Sequence, residues 1–259
     1  MSRRLTVSSA LMQKHITILT GASRGLGAAM AEQVLKPGHL LLTLSRHTAN
    51  LWVVKDSDLE QWSVDLSDAA PVADRLQQWL VQEAERQPSS VTLINNAASL
   101  SPPGPLHADT AANLANALRV GLEAPVLLSA AFLRATANWA VPRRLLFISS
   151  GLGRRGMAGC AAYCALKAGL DNLARALALE QADQANGAKV VSLAPGVFDT
   201  DMQAALRGAD PGVFPEAANF LALKNNGQLA TPSDAAAKVL AYLARPDFGG
   251  NAVADVRDA

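Results

Sequence analysis

Short apolar runs recur along this chain with longer amphipathic segments between them. Residues 15–20, 40–44, 91–94, 145–148 and 190–193 are nearly continuously apolar, so neither face of these runs is meant for water. Such strands, spaced by helices, belong to a parallel sheet covered on both sides. Shorter strands are expected at 61–64 and 253–256. Helices are expected at 25–35, 69–85, 161–182 and 233–244, the last capped by Thr231 or Ser233. A long helix at 109–139 should bend near Pro125, and short helical pieces should fill 200–223. Neither a repeat nor a linker interrupts the pattern, which predicts one doubly wound α/β domain over 15–259. Residues 1–14, which include Arg3 and Arg4, lack the apolar core of a signal peptide and are expected to be a disordered extension. Met12 is an alternative natural start.

Composition narrows the function classes. Half of the residues are hydrophobic and net charge is +1, with no basic stretch, which argues against nucleic acid or an anionic membrane as partner. We expect no apolar run long enough to cross a bilayer. Cys160 and Cys164 stand one helical turn apart, which suits a reduced cytoplasmic protein better than a disulfide framework or a zinc site. His15, His39, His47 and His107 show no metal-ligand spacing.

The first strand runs into Thr20-Gly21-Ala22-Ser23-Arg24-Gly25-Leu26-Gly27 and then a helix. Glycines allow a tight turn and close approach of backbone amides to a pyrophosphate, whose charge the helix N-terminus favours. The second strand ends in Ser45-Arg46. An acid there would suit the ribose 2′-hydroxyl of NAD, whereas arginine suits the 2′-phosphate of NADP. Arg24 is a second basic candidate, so NADP(H) is expected. Asp65 follows the third strand and could bond the adenine or cap the helix that starts near Ser67.

Tyr163 and Lys167 are four residues apart on one expected helix face, and Ser150 precedes the tyrosine by 13 positions. A nearby ammonium should lower the phenol pKa by about 1–3 units, making a usable general acid or base. Ser150 could hold a substrate oxygen beside it. Residues 199–227 break the strand–helix rhythm and carry Met202, Leu206, Phe214, Phe220 and Leu221. An insertion after a late strand lies at the carboxyl edge of the sheet, where ligands bind. It reads as a lid over a small apolar substrate; a surface helix pair or a subunit contact is the alternative.

Together these residues resemble the short-chain dehydrogenase/reductase family. The likeness runs over Thr20–Gly27, Asp65-Leu66, Asn95-Asn96-Ala97, Ser149-Ser150, Tyr163-x-x-x-Lys167 and Pro195-Gly196-Val197. It implies a Rossmann sheet of seven parallel strands. Asn95 and Ala97 would lie on the adenosine side, Lys167 would also hold the nicotinamide ribose, and Val197 and Thr200 would touch the carboxamide. Residues 194–203 and 255–258 look most like the branch containing sepiapterin and benzil reductases, which reduces carbonyls with NADPH. Asp255 matches a pterin-anchoring aspartate of that branch if a one-residue gap is allowed; otherwise it is a strand-end surface carboxylate. The family pattern has an asparagine, linked to a proton-relay water, where this chain has Gly121. The resemblance implies an NADPH-dependent carbonyl reductase with Ser150, Tyr163 and Lys167 catalytic. An NADP-dependent alcohol dehydrogenase and a non-catalytic NADP(H)-binding module are the alternatives. It also implies a homodimer or homotetramer paired through the helices around 109–139 and 161–182.

Overall fold

The computed structural model describes residues 2–6 and 14–258. Seven parallel strands, β2 (His15–Thr20), β3 (His39–Ser45), β4 (Asp58–Ser63), β5 (Ser90–Asn95), β6 (Arg143–Ile148), β7 (Lys189–Ala194) and β8 (Val253–Asp255), form the sheet. Their spatial order is β4-β3-β2-β5-β6-β7-β8. One further strand, β1 (Ser2–Thr6), adds to the β4 edge in antiparallel pairing. Of the fourteen residues expected as a disordered extension, then, five form an edge strand, and Met1 and 7–13 lie outside the described residues. The chain reverses its direction of winding between β2 and β5. A crevice therefore opens beyond the carboxyl ends of these central strands.

Alternation along each strand divides the core. Ile16, Ile18, Leu40, Leu42, Leu145 and Phe147 face one layer. That layer holds α2 (Ala69–Ala84), α3 (Ala111–Leu118), α4 (Ala124–Ala135) and α5 (Ala161–Ala182). Leu19, Leu41, Leu146 and Ile148 face α1 (Gly25–Val34) and α8 (Pro232–Leu243) on the other side. Thr231 caps α8, its Oγ1 accepting the Asp234 N–H at 3.1 Å. Between the layers' ends lie α6 (Asp201–Arg207) and α7 (Ala217–Asn225).

Two sequence expectations change and one is refined. The third parallel strand begins at Asp58, three residues before the expected start, because buried Asp58 and Glu60 disguise it. Asp58 pairs with Lys14 at 2.7 Å, and Glu60 accepts the indole N–H groups of Trp62 and Trp79 at 2.7 and 3.1 Å. The break expected near Pro125 takes the form of a π-helical turn, Arg119–Glu123, which ends just before it. Pro125 follows directly at the start of α4, within one helical run over Ala111–Ala135. Finally, Ala111–Ala135 does reach the length and apolarity of a membrane-crossing helix, with mean hydropathy 1.3. Its apolar residues serve a different purpose: Ala124, Leu128, Ala131 and Phe132 are buried in the core against α2.

Candidate active site

The glycine turn owes its shape to two positive-φ glycines and one close approach. Gly21 and Gly25 take φ of +71° and +55°, where side chains are strained. A Cβ on Gly27 would sit 2.0 Å from the Gly21 carbonyl oxygen, so only glycine fits. Thr20 Oγ1 accepts the N–H groups of Asn96 and Ala97, both at 2.9 Å, and Asn96 Nδ2 donates to the carbonyls of Thr20 and Gly21 at 3.0 and 3.1 Å. Ser45 Oγ accepts the Ala22 N–H at 2.8 Å. Asn96 thus ties β2 to β5 and braces the turn from behind.

A cleft of about 1460 Å³ lies over these strand ends. Gly21, Ser23, Arg24, Gly25, Leu26 and Gly27 form its floor. Arg46, Asp65, Leu66 and Ala97 lie along one side, and Pro195, Gly196, Val197 and Thr200 along the other, with Tyr163 and Lys167 between. Asn95 is the exception. Its side chain is buried beneath the sheet edge, donating from Nδ2 to Ser129 Oγ at 3.3 Å, and it does not line the cleft. Asp65 accepts the Ser67 N–H at 2.9 Å, a bond that holds its carboxyl below the usual carboxylate range. It thus braces the turn before α2 rather than capping the helix, whose N-terminal residue Asp68 makes no side-chain cap, and it still lines the cleft. Arg46 is exposed at the cleft rim, and Arg24 pairs across the cleft mouth with Asp201 of α6 at 2.9 Å.

Ser150, Tyr163 and Lys167 converge on the inner wall. Ser150 follows β6 and opens a short 3-10 turn, its Oγ accepting the Leu152 N–H at 3.2 Å. Lys167 is 3% exposed and donates to the Ile148 carbonyl at 2.7 Å, with Nζ 5.5 Å from the Tyr163 ring centroid. The expected lowering of the tyrosine pKa is overturned. The ring keeps an edge on the cleft, yet burial pushes its phenol up to about 12, opposed by a hydrogen bond with Ser150. Burial likewise brings Lys167 down to about 8, against the pull of Asp171. Desolvation is the largest cause of both shifts, and Lys167 Nζ is directed at the β6 carbonyl.

Gly121 is buried in the π-helical turn, and a Cβ there would lie 3.1 Å from both Leu166 methyls. Reciprocally, a Cβ on Gly169 would lie 3.0 and 3.1 Å from the two Leu122 methyls. Two leucines thus fill two glycine notches between this turn and α5. Leu166 occupies the space an asparagine at 121 would need.

The end of the cleft beyond Tyr163 is apolar. Leu100, Leu152, Met157, Met202 and Phe220 pack around Tyr163 with buried Leu206. Leu100, Leu152, Met157 and Arg155 line the cleft but escaped sequence reasoning, because their loops carry no periodic signal. Phe214, fully buried, wedges against Gly159, where a Cβ would sit 2.6 Å from its ring. Asp199 accepts from Arg207 at 2.9 Å and from Lys224, tying the ends of α6 and α7 to the base of the segment. Asp255 is not a surface carboxylate. It is 4% exposed and accepts from Arg257 N, Nε and a terminal guanidinium nitrogen at 3.0, 2.8 and 2.6 Å, which keeps its carboxyl below the ordinary range.

Among the described residues no cluster of His, Cys, Asp and Glu could hold a metal ion. The family model for short chain dehydrogenase matches residues 15–210. Benzil reductase ((S)-benzoin forming) of Bacillus cereus is 32% identical, over 89% of this chain and 94% of that protein. Rat (Rattus norvegicus) sepiapterin reductase is 31% identical, over 94% and 96%. A crystal structure of a short-chain dehydrogenase/reductase from Burkholderia vietnamiensis, 33% identical, superposes with a TM-score of 0.62 over 95% of this chain and 100% of that one. A glycine turn that excludes side chains, a Ser–Tyr–Lys wall and these likenesses meet in one conclusion: the chain belongs to the short-chain dehydrogenase/reductase family, oxidoreductases acting on alcohol and carbonyl groups.

Proposed function

We propose that this chain is an NADPH-dependent reductase of small ketones or vicinal dicarbonyls. The observation that carries the proposal is the convergence of Ser150, Tyr163 and Lys167 on one wall of a cleft whose floor is the glycine turn. The cradle fits a dinucleotide: Gly27 leaves room for backbone to approach a pyrophosphate, and Arg46, not an acid, stands at the end of β3, within electrostatic reach of Asp65. NADPH, when bound, supplies the hydride for the carbonyl carbon.

The remaining steps belong to the chain's own groups. Ser150 Oγ–H donates to the substrate carbonyl oxygen and fixes it beside the phenol. Tyr163 is protonated at neutral pH and gives its proton to that oxygen as negative charge grows there. The Lys167 ammonium offsets the charge left on the phenolate. The apolar wall of Leu100, Met157, Met202 and Phe220 suits a carbonyl flanked by aryl or alkyl groups, in keeping with the benzil reductase likeness. Sepiapterin is the polar alternative, yet both Asp255 oxygens are already engaged by Arg257. Free thiols at Cys160 and Cys164 fit a reducing cytoplasm. Exposed Leu118, Val126 and Leu179 on α3, α4 and α5 fit pairing of two copies through those helices.

The test is initial rates with benzil, a short 1,2-diketone and sepiapterin, using NADPH and NADH, with Tyr163→Phe alongside. We expect preference for NADPH and benzil, and a loss of at least about 100-fold in the variant. Substantial activity in Tyr163→Phe would remove the tyrosine from its role.

A further inference from the structure

One buried carboxylate near the site has no part in the chemistry above. Asp171 lies one helical turn after Lys167 on α5 and is 1% exposed. Its Oδ1 accepts Ser149 Oγ at 2.6 Å and Ser192 Oγ at 2.7 Å. Among the described residues its Oδ2 faces the Arg154 guanidinium, with Nε at 3.4 Å. Arg154 continues outward to the Ala254 carbonyl at 2.6 Å and to Asp255 at 3.7 Å. The turn that begins at Ser150 seats closely here: a Cβ on Gly153 would lie 2.9 Å from both Asp171 Oδ2 and the Lys167 carbonyl. One carboxylate therefore joins the end of β6, β7, the loop after Ser150 and the helix of Tyr163 and Lys167.

A charge this deep is costly unless its partners repay it. Apolar side chains could pack these four elements without that cost, so the carboxylate needs a reason. We propose that Asp171 is a positioning residue for the reaction: it clamps the Ser149–Ser150 strand end against α5 and, from one turn below, keeps Lys167 a cation. The proposal rests on the reading of Lys167 given above.

The groups around the lysine are few. Tyr163 and Asp171 share its helix, β6 offers the Ile148 carbonyl and neutral Ser149 and Ser150, and Arg154 stands beyond Asp171. The π-helical turn contributes Gly121, while its Arg119 and Glu123 are exposed. Burial pulls the lysine toward its neutral form, and the Asp171 carboxylate opposes that pull. The two neighbours make opposite predictions. Removing the Asp171 charge should lower the pH at which Lys167 loses its proton. Removing the Arg154 charge, which attenuates Asp171 and itself repels the lysine, should raise it.

The experiment is a titration of lysine side chains by NMR in ¹³C-lysine-labelled protein without cofactor, the Lys167 signal being assigned by its loss in Lys167→Met. Asp171→Asn and Arg154→Gln are compared with the wild type, and the alkaline limb of kcat for benzil reduction is recorded for each. We expect a midpoint shift of about one pH unit downward in Asp171→Asn, a smaller upward shift in Arg154→Gln, and rate limbs that follow. Should Asp171→Asn fail to fold, Arg154→Gln decides the sign. An unmoved or downward midpoint in Arg154→Gln would reduce Asp171 to a packing role. Midpoints that move while the rate limbs stay fixed would leave the electrostatic clamp standing and overturn Lys167 as the charge that serves Tyr163.

Discussion

Replacing Gly121 with Asn should fail in this chain for a reason that can be worked out from one contact. The new Cβ would lie 3.1 Å from Leu166 Cδ1 and Cδ2 and 3.5 Å from Cγ, and the amide would extend farther into the same leucine. Gly121 and Leu166 are both buried, so neither has room to retreat. Overpacking of this kind costs about 1–3 kcal/mol, and an amide left without partners adds about 1–3 kcal/mol. The helix-propensity gain of leaving glycine returns only a few tenths of a kcal/mol. A net loss of about 1.5–5.5 kcal/mol follows, or a fall in Tm of roughly 3–20 °C at this chain size. Leu166→Ala alone should cost about 2–5 kcal/mol by leaving a cavity. Asn brings four heavy atoms and Leu166→Ala removes three, so the pair should fit the notch together. We therefore expect the double variant to be more stable than the sum of the singles predicts, by about 1–3 kcal/mol. Urea denaturation of the four proteins supplies the cycle. Additivity within about 0.5 kcal/mol would refute the interlock between the π-helical turn and α5.

Three further outcomes follow from the site. Reductive turnover should be level through neutral pH and fall as pH rises through about 8, where Lys167 gives up its charge, while Tyr163 stays protonated to about 12; a stopped-flow pH profile reads this, and an unchanged rate at pH 10 would contradict it. Arg46→Ala should raise KM for NADPH by roughly 10- to 100-fold, the worth of one charged hydrogen bond, and leave KM for NADH nearly unmoved; equal effects on both cofactors would dissociate Arg46 from the 2′-phosphate. Gly27→Ala forces a contact of 2.0 Å with the Gly21 carbonyl, so NADPH binding measured by fluorescence should disappear; retained affinity would mean that the turn can open.

Much of this was legible in the sequence, for identifiable reasons. Apolar continuity in 15–20 and 145–148 exposes strands buried on both faces. Gly21, Gly25 and Gly27 announce a turn that only glycine can make. Other features depend on partners far along the chain. Asp58 and Glu60 disguise a strand because partners that hold them, Lys14 and Trp79 among them, lie elsewhere in sequence. Pro125 signalled a break in the long helix, but no periodicity in the sequence says that the break is a π-helical turn over Arg119–Glu123. The tyrosine pKa reversed direction because spacing along a helix says nothing of where an ammonium finds its acceptor. Asn95 is one residue from the cleft-lining Asn96, and strand alternation sends neighbours to opposite faces.

The segment from Asp199 to Asn225 closes on itself. One carboxylate, Asp199, gathers the end of α6 through Arg207 and the end of α7 through Lys224, and a single ring, Phe214, pins the middle beside Tyr163. Its internal ties make it a unit, and it carries Met202, Leu206 and Phe220 of the apolar cleft wall. On the function proposed above, such a piece should be exchangeable whole between relatives, altering what is recognised while leaving Tyr163 and the glycine turn in place. Grafts should accordingly begin before Asp199 and end after Lys224, so that the ionic knot travels with the helices it fastens.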